Sequence, residues 1–249
     1  MPRHATDDGT LPAGQFGPDV YAHWRGSSLG EITDILEHRL ILQLMNPLQG
    51  RTVLDVGCGD GTLLALTSRQ GVLRVFGCDL DPRMVARARD RLLNDDRSAG
   101  LAVARCQELP FPDNSFDGLV CITVLAFLPD ANRAVREMAR VLRPGGTLVI
   151  GDLGRWSLWA ARRRIRGWLG ASLWRTARFR TAGELAAMMA SAGLTVGSIK
   201  GAIFFPPWTP LARLMARIDP ALGGMTTVGA AFVAVQAIKP DRSSSVPPD

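Results

Sequence analysis

Two hydrophobic patterns alternate along most of this chain. Short runs of consecutive apolar, often β-branched residues predict strands that are buried on both faces, as in a parallel sheet. Between them, apolar residues recur every three or four positions, which is typical of amphipathic helices. Strands that alternate with helices indicate an α/β fold, with a mostly parallel sheet and helices on both faces. The predicted strands span 52–56, 73–79, 101–105, 118–123, 147–152, 194–205 and 226–238.

The first predicted strand leads into a loop with three glycines. Asp55 stands near the end of the strand, and Gly57, Gly59 and Gly61 follow at alternate positions before a helical pattern starts at Thr62. Glycine lets a backbone approach a bound nucleotide closely, and the N-terminus of a helix adds unpaired N–H groups. The dinucleotide fingerprint G-x-G-x-x-G would need a glycine at position 62, so the spacing argues against it. The loop therefore predicts nucleotide binding of another kind.

Four segments of the chain together resemble one family. They are the Asp55 loop, the acidic strand end at Asp79, the run Leu-Pro-Phe-Pro-Asp-x-Ser-Phe-Asp that ends at Asp117, and the turn Leu-Arg-Pro-Gly-Gly that ends at Gly146. From about residue 20 to 238 the chain is similar to class I S-adenosylmethionine (SAM)-dependent methyltransferases, especially the subset near the ubiquinone and menaquinone methyltransferases. The resemblance implies a Rossmann-like, seven-stranded, mostly parallel sheet with an antiparallel last strand. It also implies SAM as cofactor and S-adenosylhomocysteine (SAH) as product.

Acidic and small residues at the strand ends predict the cofactor contacts. Asp79 stands 24 residues beyond Asp55, near the ~20-residue offset at which a strand-end carboxylate meets ribose hydroxyls in nucleotide folds. A carboxylate can accept hydrogen bonds from both vicinal hydroxyls, and Leu80 would then pack against the adenine. Asp81 has a simpler explanation, since it precedes Pro82 as a helix cap. The predicted cofactor-binding residues are Asp55, Gly57, Cys58, Gly59, Gly61, Asp79, Leu80, Cys106, Gln107 and Thr123.

The adenine contact departs from the family pattern. Many relatives carry an acidic residue after the third strand, but alignment on Leu109-Pro110 places Arg105 there. The resemblance then implies that Cys106 and Gln107 line the adenine edge. Thr123 ends the fourth strand, at the edge of the sheet where open α/β folds bind their ligands.

The sequence outside the predicted sheet indicates tails, a lid and two insertions. Both ends are rich in proline and polar residues and predict disordered tails. Helical spacing near the N-terminus predicts a segment that in the family packs across the cofactor cleft as a lid. Two stretches late in the chain interrupt the alternation of strands and helices. The predicted parts are tails at 1–18 and 240–249, a lid at 19–46, and a methyltransferase domain at 47–239 with helical insertions at about 155–180 and 206–222.

Aromatic residues near the predicted carboxyl ends of the strands suggest the walls of an acceptor pocket, and Trp24 is added because it lies in the segment that forms a lid in the family. For Trp24 and Phe127, packing in the core explains the aromatic ring equally well. The predicted pocket residues are Trp24, Phe127, Trp156, Phe205 and Trp208.

No motif in the sequence identifies a catalytic residue. Tyr21 and His23, both in the lid, are the candidates for contacting the acceptor or accepting its proton. Displacement at a sulfonium needs little covalent help from the protein, so positioning and exclusion of water are expected to supply most of the acceleration. A general base is needed only if the acceptor must lose a proton.

The segment 155–180 has an unusual composition, because four tryptophans alternate there with eight arginines. This composition fits a membrane-interface element or an anion-binding lid over the pocket. It also fits RNA, because arginine neutralises phosphates and indoles stack on bases. A helix that packs its indoles on the domain and leaves its arginines in water fits as well. The sequence leaves these alternatives open.

Composition narrows the functional classes. The formal charge of +6 comes almost wholly from arginine, which indicates either a genomic bias or attraction to phosphate or anionic lipid. Four cysteines without C-x-x-C spacing predict reduced thiols and no metal site. The chain has no run of eighteen apolar residues and no apolar stretch behind its first charges, so we expect neither a spanning helix nor a secretory signal. The expected location is cytoplasmic, with peripheral contact at the inner face of a membrane through 155–180 left open.

The main expected function is methyl transfer to a small-molecule or lipid-like acceptor, and three other functions are alternatives to it. The first is a regulatory module that binds SAM without turnover. The second is an RNA methyltransferase, but the fourth strand lacks the N-P-P-Y-type motif and no RNA-binding domain is appended. The missing motif also argues against DNA as a partner. The third is arsenite methylation, which requires several clustered and exposed thiols. It is the least favoured of the three.

Overall fold

A seven-stranded sheet forms the centre of the computed structural model, which describes residues 23–94 and 99–241. The strands are β1 (Thr52–Val56), β2 (Arg74–Asp79), β3 (Gly100–Val103), β4 (Phe116–Ile122), β5 (Leu142–Leu153), β6 (Thr195–Ala202) and β7 (Phe232–Ile238). The helices are α1 (Ser28–Met45), α2 (Thr62–Ser68), α3 (Pro82–Asn94), α4 (Ala131–Val141), α5 (Leu158–Trp168), α6 (Ser172–Thr176), α7 (Ala182–Ser191), α8 (Thr209–Met215) and α9 (Asp219–Met225), with a 3₁₀ turn at Leu125–Phe127.

The strand order is β3-β2-β1-β4-β5-β7-β6. The first five strands of that order are parallel, and β7 is antiparallel to both β5 and β6. This arrangement confirms the predicted Rossmann-like methyltransferase sheet. Because β1 and β4 lie in the middle, their carboxyl ends face the crevice that forms where the strand order reverses, which is the usual ligand site of open α/β sheets.

The central strands are apolar on both faces because helices cover both sides of the sheet. Leu54 and Val56 belong to a buried cluster on one side, together with α4 and α7. Val53 points to the other side and packs in a second cluster with α1, α2 and α3. Each fully buried leucine or valine stabilises the fold by roughly 1.5–3 kcal/mol relative to its exposed state. The two clusters hold the strand ends in place.

Helix α1 forms the observed part of the predicted lid. Residues 23–25 are helical, and the chain then bends before α1 begins at Ser28. The Ser27 hydroxyl accepts a hydrogen bond from Gly30 N at 3.0 Å, which caps the helix. The C-terminal half packs against β5, β6 and β7, where Gln236 Nε2 donates to the carbonyl oxygen of Leu44 at 2.7 Å.

Several predicted segments and residues lie partly or wholly outside the described residues. The predicted tail at 1–18, the candidate Tyr21 and most of the tail at 240–249 lie there.

The last two strands are shorter than their hydrophobic runs predict. β6 ends at Ala202 because the next residue, Ile203, takes a positive φ of 64°. The backbone N–H groups of Ile203 and Phe204 then donate to the buried Asp219 carboxylate at 2.9 and 2.8 Å. β7 begins only at Phe232, after a turn that contains Gly229 with φ of 88°. Apolar residues beyond these points are buried in loops instead of the sheet.

The predicted insertion at 206–222 contains the short helix α8 and the start of α9, which continues to Met225. None of the helices in the described residues is both long enough and apolar enough to cross a membrane.

Candidate active site at the carboxyl edge of the sheet

The glycine loop lies between the ends of β1 and β2. The backbone N–H groups of Gly57 and Cys58 both donate to the carbonyl oxygen of Cys78, at 2.8 and 2.9 Å. Gly57 has φ of 81°, and a Cβ there would lie 2.2 Å from Val124 Cγ2. Gly59 has φ of 52°, but a Cβ there would meet no atom within 4 Å. Gly57 is therefore required for close packing, whereas Gly59 leaves its backbone open on the ligand side.

A cavity of about 470 Å³ extends from this loop across the ends of the central strands. Its lining includes five acidic residues at the loop and α1 side and three arginines on α5, with aromatic and aliphatic residues between them. These acids and α5 arginines are Asp34, Glu37, Asp55, Asp60, Asp79, Arg162, Arg163 and Arg166, and the lining also includes Arg25 and His38.

Asp55 is a buried carboxylate on the cavity wall, only 4% exposed. Its side chain accepts no hydrogen bond from any residue in the described part of the chain. Burial, and to a smaller degree the negative charge of Asp79, raises the pKa of Asp55 to about 8. A buried acid without a partner is costly, and a cationic ligand group in the cavity would satisfy it.

Asp79 is held by the backbone at the end of β2. Its carboxylate oxygens accept hydrogen bonds from Gly59 N and Asp81 N, both at 2.9 Å. Burial raises the pKa of Asp79, and the two backbone donors partly oppose that rise. Each carboxylate oxygen has a second lone pair, so Asp79 can still accept from a ligand hydroxyl.

Asp81 has the capping role that its position predicts. It accepts a hydrogen bond from Arg83 N at 2.9 Å and pairs with Arg83 Nη2 at 2.7 Å. The hydrogen bonds from Arg83 lower the pKa of Asp81.

Four of the predicted cofactor residues do not line the cavity. Gly61 packs against α3, where a Cβ would lie 2.8 Å from Ala88. Leu80 is partly exposed, and Cys106 is buried next to Gln107, with its Sγ 3.4 Å from Gln107 Oε1. The loop that carries Cys106 is tied to the end of β2, because Ala104 N donates to the carbonyl oxygen of Asp79 at 3.0 Å. The adenine contacts assigned to these residues stay a prediction.

The other six predicted cofactor residues line the cavity together. They are Asp55, Gly57, Cys58, Gly59, Asp79 and Thr123.

Arg25, in the segment predicted to be a lid, contacts the glycine loop. Its guanidinium pairs with Asp34 on α1 and donates to Asp60 Oδ1 at 2.8 Å, and it also contacts the Thr62 hydroxyl. From the opposite side, Arg91 Nη2 donates to Asp60 Oδ2 at 2.7 Å. Sequence reasoning missed both Arg25 and Asp60, although Asp60 lies inside the glycine motif.

Aromatic side chains from distant segments form another part of the cavity wall. Trp24 packs edge to face on Trp159, with ring centroids 5.8 Å apart, and Phe127 lies beside Trp174 at 6.4 Å. Trp159 Nε1 donates to the carbonyl oxygen of Phe205 at 2.8 Å, so this buried indole has its polar atom satisfied. Trp24, Phe127, Trp159 and Trp174 line the cavity.

Three predicted pocket residues lie elsewhere. Trp156 and Trp208 are 63% and 61% exposed and do not line the cavity. Phe205 is 1% exposed, and it supports Trp159 through its carbonyl oxygen instead of offering its ring to the cavity.

The polar face of α1 was also missed in the sequence. Thr33, Asp34, Glu37 and His38 line the cavity because spacings of three and four residues place them on one side of the helix. The predicted candidate His23 is exposed and lies outside the cavity lining. A search for polar residues at helical spacing within the lid would have found this face.

Glu37 and His38 have strongly shifted pKa values. Burial, aided by the nearby Asp34, raises the pKa of Glu37 to about 8. Burial and then the positive charge of Arg25 lower the pKa of His38 to about 4. At neutral pH both side chains are therefore mainly uncharged. Among the described residues, no group of three or more His, Cys, Asp and Glu side chains could hold a metal ion.

Comparison with known proteins agrees with the site. Residues 54–150 match the family model described as "Methyltransferase domain". The 27-O-demethylrifamycin SV methyltransferase of Amycolatopsis mediterranei is 37% identical over 138 residues, which cover 53% of this chain and 50% of that protein. The ubiquinone biosynthesis O-methyltransferase of Xanthomonas euvesicatoria is 32% identical over 178 residues, which cover 69% of this chain and 74% of that enzyme.

A solved methyltransferase shares the fold. The Haemonchus contortus phosphoethanolamine N-methyltransferase 2, solved in complex with SAM, superposes with a TM-score of 0.70 at 17% identity, covering 96% of this chain and 61% of that one. The chain spans about half the length of the first curated relatives that it matches. The chain has the glycine loop and the acidic strand ends, and it matches 74% of the length of a ubiquinone biosynthesis O-methyltransferase. It therefore belongs to the class I SAM-dependent methyltransferases.

Proposed function

We propose that this protein transfers the methyl group of SAM to an apolar small-molecule acceptor. The observation that carries the proposal is the buried, unsatisfied Asp55 carboxylate on the wall of a cavity that also contains apolar side chains. A carboxylate in that position needs a cation, and the amino acid part of SAM carries an ammonium group. The rest of the cavity leaves apolar walls for a second ligand.

The residues of the loop end fit the cofactor. Asp55 would pair with the ammonium group, and Asp79 would accept from the ribose hydroxyls. The backbone at Gly59 could lie directly against the ligand, since no side chain atom intervenes. When bound, SAM supplies a methyl group made electrophilic by its positively charged sulfur. The protein contributes the alignment of the acceptor with that methyl group.

The opposite walls hold the acceptor and exclude water. Phe127, Trp174 and Ile203 provide an apolar surface at the ends of β4 and β6 and beside α6. Water excluded from this end cannot compete with the acceptor or solvate its reacting atom. The favoured acceptors are therefore flat or aliphatic molecules with a hydroxyl or another nucleophilic group.

Glu37 is the proposed proton acceptor where the acceptor is an alcohol. It lines the cavity, and a pKa of about 8 makes it a stronger base than an ordinary carboxylate while leaving part of it ionised near pH 8. Since the ionised form is the active base, the rate should rise with pH through about 8. Glu37→Gln should lower kcat at least about tenfold and remove this rise.

The control for Glu37 is its neighbour His38. The pKa of His38 is about 4, so His38→Asn should leave the shape of the profile between pH 6 and 9 unchanged. An unaltered alkaline rise in the Glu37→Gln variant would remove Glu37 from the chemistry.

The first experiment is calorimetric titration with SAM, SAH and NAD. We expect micromolar binding of SAM and SAH and none of NAD, followed by transfer of radiolabelled methyl from SAM to members of a panel of quinols, phenols and aliphatic alcohols. Binding without transfer to any acceptor would favour a regulatory SAM-binding module. No binding of SAM or SAH would refute the proposal.

We also propose that the protein contacts membranes peripherally through α5. Several apolar side chains on one side of this helix are exposed, and arginines flank them on both sides. This is the pattern of an interfacial helix that attracts anionic lipid. The exposed apolar residues are Leu158, Ile165 and Trp168 on α5, and Leu169 directly after it.

Vesicle sedimentation tests the membrane contact. The protein should sediment with phosphatidylglycerol vesicles and much less with phosphatidylcholine vesicles. The double change Trp168→Ser and Leu169→Ser should abolish sedimentation, whereas Leu214→Ser, at an exposed leucine of α8, should not. Equal sedimentation of both variants would contradict the proposal.

A further inference from the structure

Three arginines of α5 line the cavity at the end away from the glycine loop. Arg162, Arg163 and Arg166 lie on adjoining sides of the helix, because residues three and four apart are neighbours on a helical surface. Arg163 is half-buried, whereas Arg162 and Arg166 are exposed at the cavity rim. Their guanidinium groups therefore bring positive charge to one part of an otherwise largely apolar wall.

These arginines lack an acidic partner. Within residues 23–94 and 99–241, no hydrogen bond or ion pair engages the guanidinium groups of Arg162, Arg163 or Arg166. Two other arginines close to α5 in the sequence are paired, since Arg155 contacts Glu184 at 2.7 Å and Arg180 contacts Asp152 at 2.9 Å. The guanidinium groups that line the cavity are therefore available to a ligand.

Arg163 is held in place by aromatic rings. Its guanidinium carbon lies 5.3 Å from the ring centroid of Trp159 and 4.9 Å from that of Trp174. Stacking on an indole orients the guanidinium while leaving its N–H donors free in the plane. Burial lowers the pKa of Arg163 to about 10, so the group is still charged at neutral pH.

One acidic side chain lies near enough to act on Arg163 electrostatically. It is Glu37 on α1, which forms no ion pair with Arg163 in the described residues. Because the pKa of Glu37 is about 8, this acid is mainly protonated at pH 7 and leaves the positive charge of Arg163 largely uncompensated.

The cofactor does not account for these charges. The buried carboxylates Asp55 and Asp79 lie at the loop end, over β1 and β2, whereas α5 follows β5 on the other side of β4. Arg25, which lines the cavity beside the glycine loop, is already paired with Asp34 and Asp60. An anion beside α5 would lie at the acceptor end of the cavity.

We propose that Arg162, Arg163 and Arg166 form an anion subsite that selects acceptors carrying a carboxylate or a phosphate. The apolar part of such an acceptor would pack on Phe127 and Trp174, while its anionic group would receive charge-assisted hydrogen bonds from the guanidinium groups. This inference rests on the proposed function, because it assigns the acceptor of that reaction.

Calorimetry on the SAH-saturated protein tests the subsite. The probes are 3-phenylpropanoate and phenyl phosphate, compared with the neutral amide 3-phenylpropanamide, which has nearly the same shape as the first probe. Both anions should bind at least about tenfold more tightly than the amide, because a hydrogen bond to a charged group contributes more than a neutral one. Equal affinity for the anion and the amide would overturn the proposal.

Substitutions assign the preference to particular arginines. The double change Arg162→Gln and Arg166→Gln, and separately Arg163→Met, should remove the preference for anions but leave SAH affinity within about twofold. Arg164→Gln is the matched control, since Arg164 lies on the same helix but stacks on Phe179 at 5.1 Å and does not line the cavity. A loss of SAH affinity in the cavity variants would assign these arginines to the cofactor and overturn the proposal. An equal loss of anion binding in Arg164→Gln would show a general charge effect and would also overturn it.

An experiment with vesicles distinguishes a soluble anionic acceptor from a lipid headgroup as the ligand of these arginines. If the cavity variants lose sedimentation with phosphatidylglycerol vesicles but still bind phenyl phosphate as the unchanged protein does, the arginines serve the membrane surface and the subsite is refuted. Loss of phenyl phosphate binding with sedimentation retained supports it. Failure of SAH itself to bind would refute the proposed function, whereas SAH binding without an anion preference would refute the subsite alone.

Discussion

The two ends of the cavity use different parts of the polypeptide. At the glycine-loop end, the ligand would meet the backbone and two acidic side chains that all belong to one stretch, from the end of β1 to the end of β2. At the α5 end, the lining consists of aromatic and basic side chains of α5 and α6, together with Trp24 ahead of α1 and Phe127 in the 3₁₀ turn after β4. The glycine-loop end suits the cofactor, which is the same in every such reaction. The side chains at the α5 end can differ, and with them the acceptor, without a change in the cofactor site. Function in such folds resides in the site and not in the scaffold.

This comparison predicts that substitutions at the loop end abolish cofactor binding, whereas substitutions at the α5 end alter acceptor choice only.

The largest effect is expected for Gly57→Val. A branched side chain would overlap Val124 and would have to adopt a φ of 81°, so we expect loss of SAH binding and a fall in the free energy of unfolding by more than about 2 kcal/mol. Calorimetry and urea unfolding measure the two quantities. Gly50→Val is the control, because Gly50 has φ of 72° but no neighbour within 4 Å of a Cβ. It should lose stability by about 1–2 kcal/mol and retain SAH binding.

The next largest effect is expected for Asp79→Asn. The amide would turn an N–H group toward the donors Gly59 N or Asp81 N, and the ribose would lose a charged acceptor. SAH affinity should fall at least about tenfold. Asp81→Asn, in the same loop, should lower stability by up to about 1 kcal/mol through the weakened cap, with SAH affinity unchanged. If both variants bind SAH normally, Asp79 does not contact the ribose.

A pH dependence is expected from Asp55. Its pKa is about 8 without ligand, and an ammonium group favours the ionised carboxylate, so binding of SAH must release a proton below pH 8. The affinity for SAH should therefore rise between pH 6 and 7.5, by up to about tenfold per pH unit. Calorimetry in buffers of different ionisation enthalpy counts the released proton. Asp55→Asn should abolish both the proton release and the rise, and a persistent rise in that variant would exclude Asp55 as its source.

The smallest effect is expected at the α5 end, for Trp174→Ala. Removal of this ring enlarges the apolar wall beside Phe127, so KM for apolar acceptors should rise about fivefold while SAH affinity stays the same. Trp156→Ala is the matched control, since this exposed indole lies outside the cavity lining and should change neither quantity. A change in SAH affinity for Trp174→Ala would show that the two ends are not independent.

The sequence determined the sheet and the loop end of the site. The strand, glycine loop and acidic strand end are close in the chain, so local spacing places Asp55, Gly57, Gly59 and Asp79 together once β1 and β2 pair. The alternation of apolar runs and helical patterns was sufficient for the fold, because each element must bury one face or both.

Only the tertiary structure decided which residues form the other end. The orientation of a helix about its own axis depends on what it packs against, so composition could not distinguish the buried Trp159 from the exposed Trp168 on α5. For the same reason the cavity contains His38 and not His23, and Trp174 and not Trp156 or Trp208. The arginines of 155–180 looked alike in the sequence. Packing of α5 on Trp24 and α6 turned three of them toward the cavity, and paired Arg155 and Arg180 with acids elsewhere.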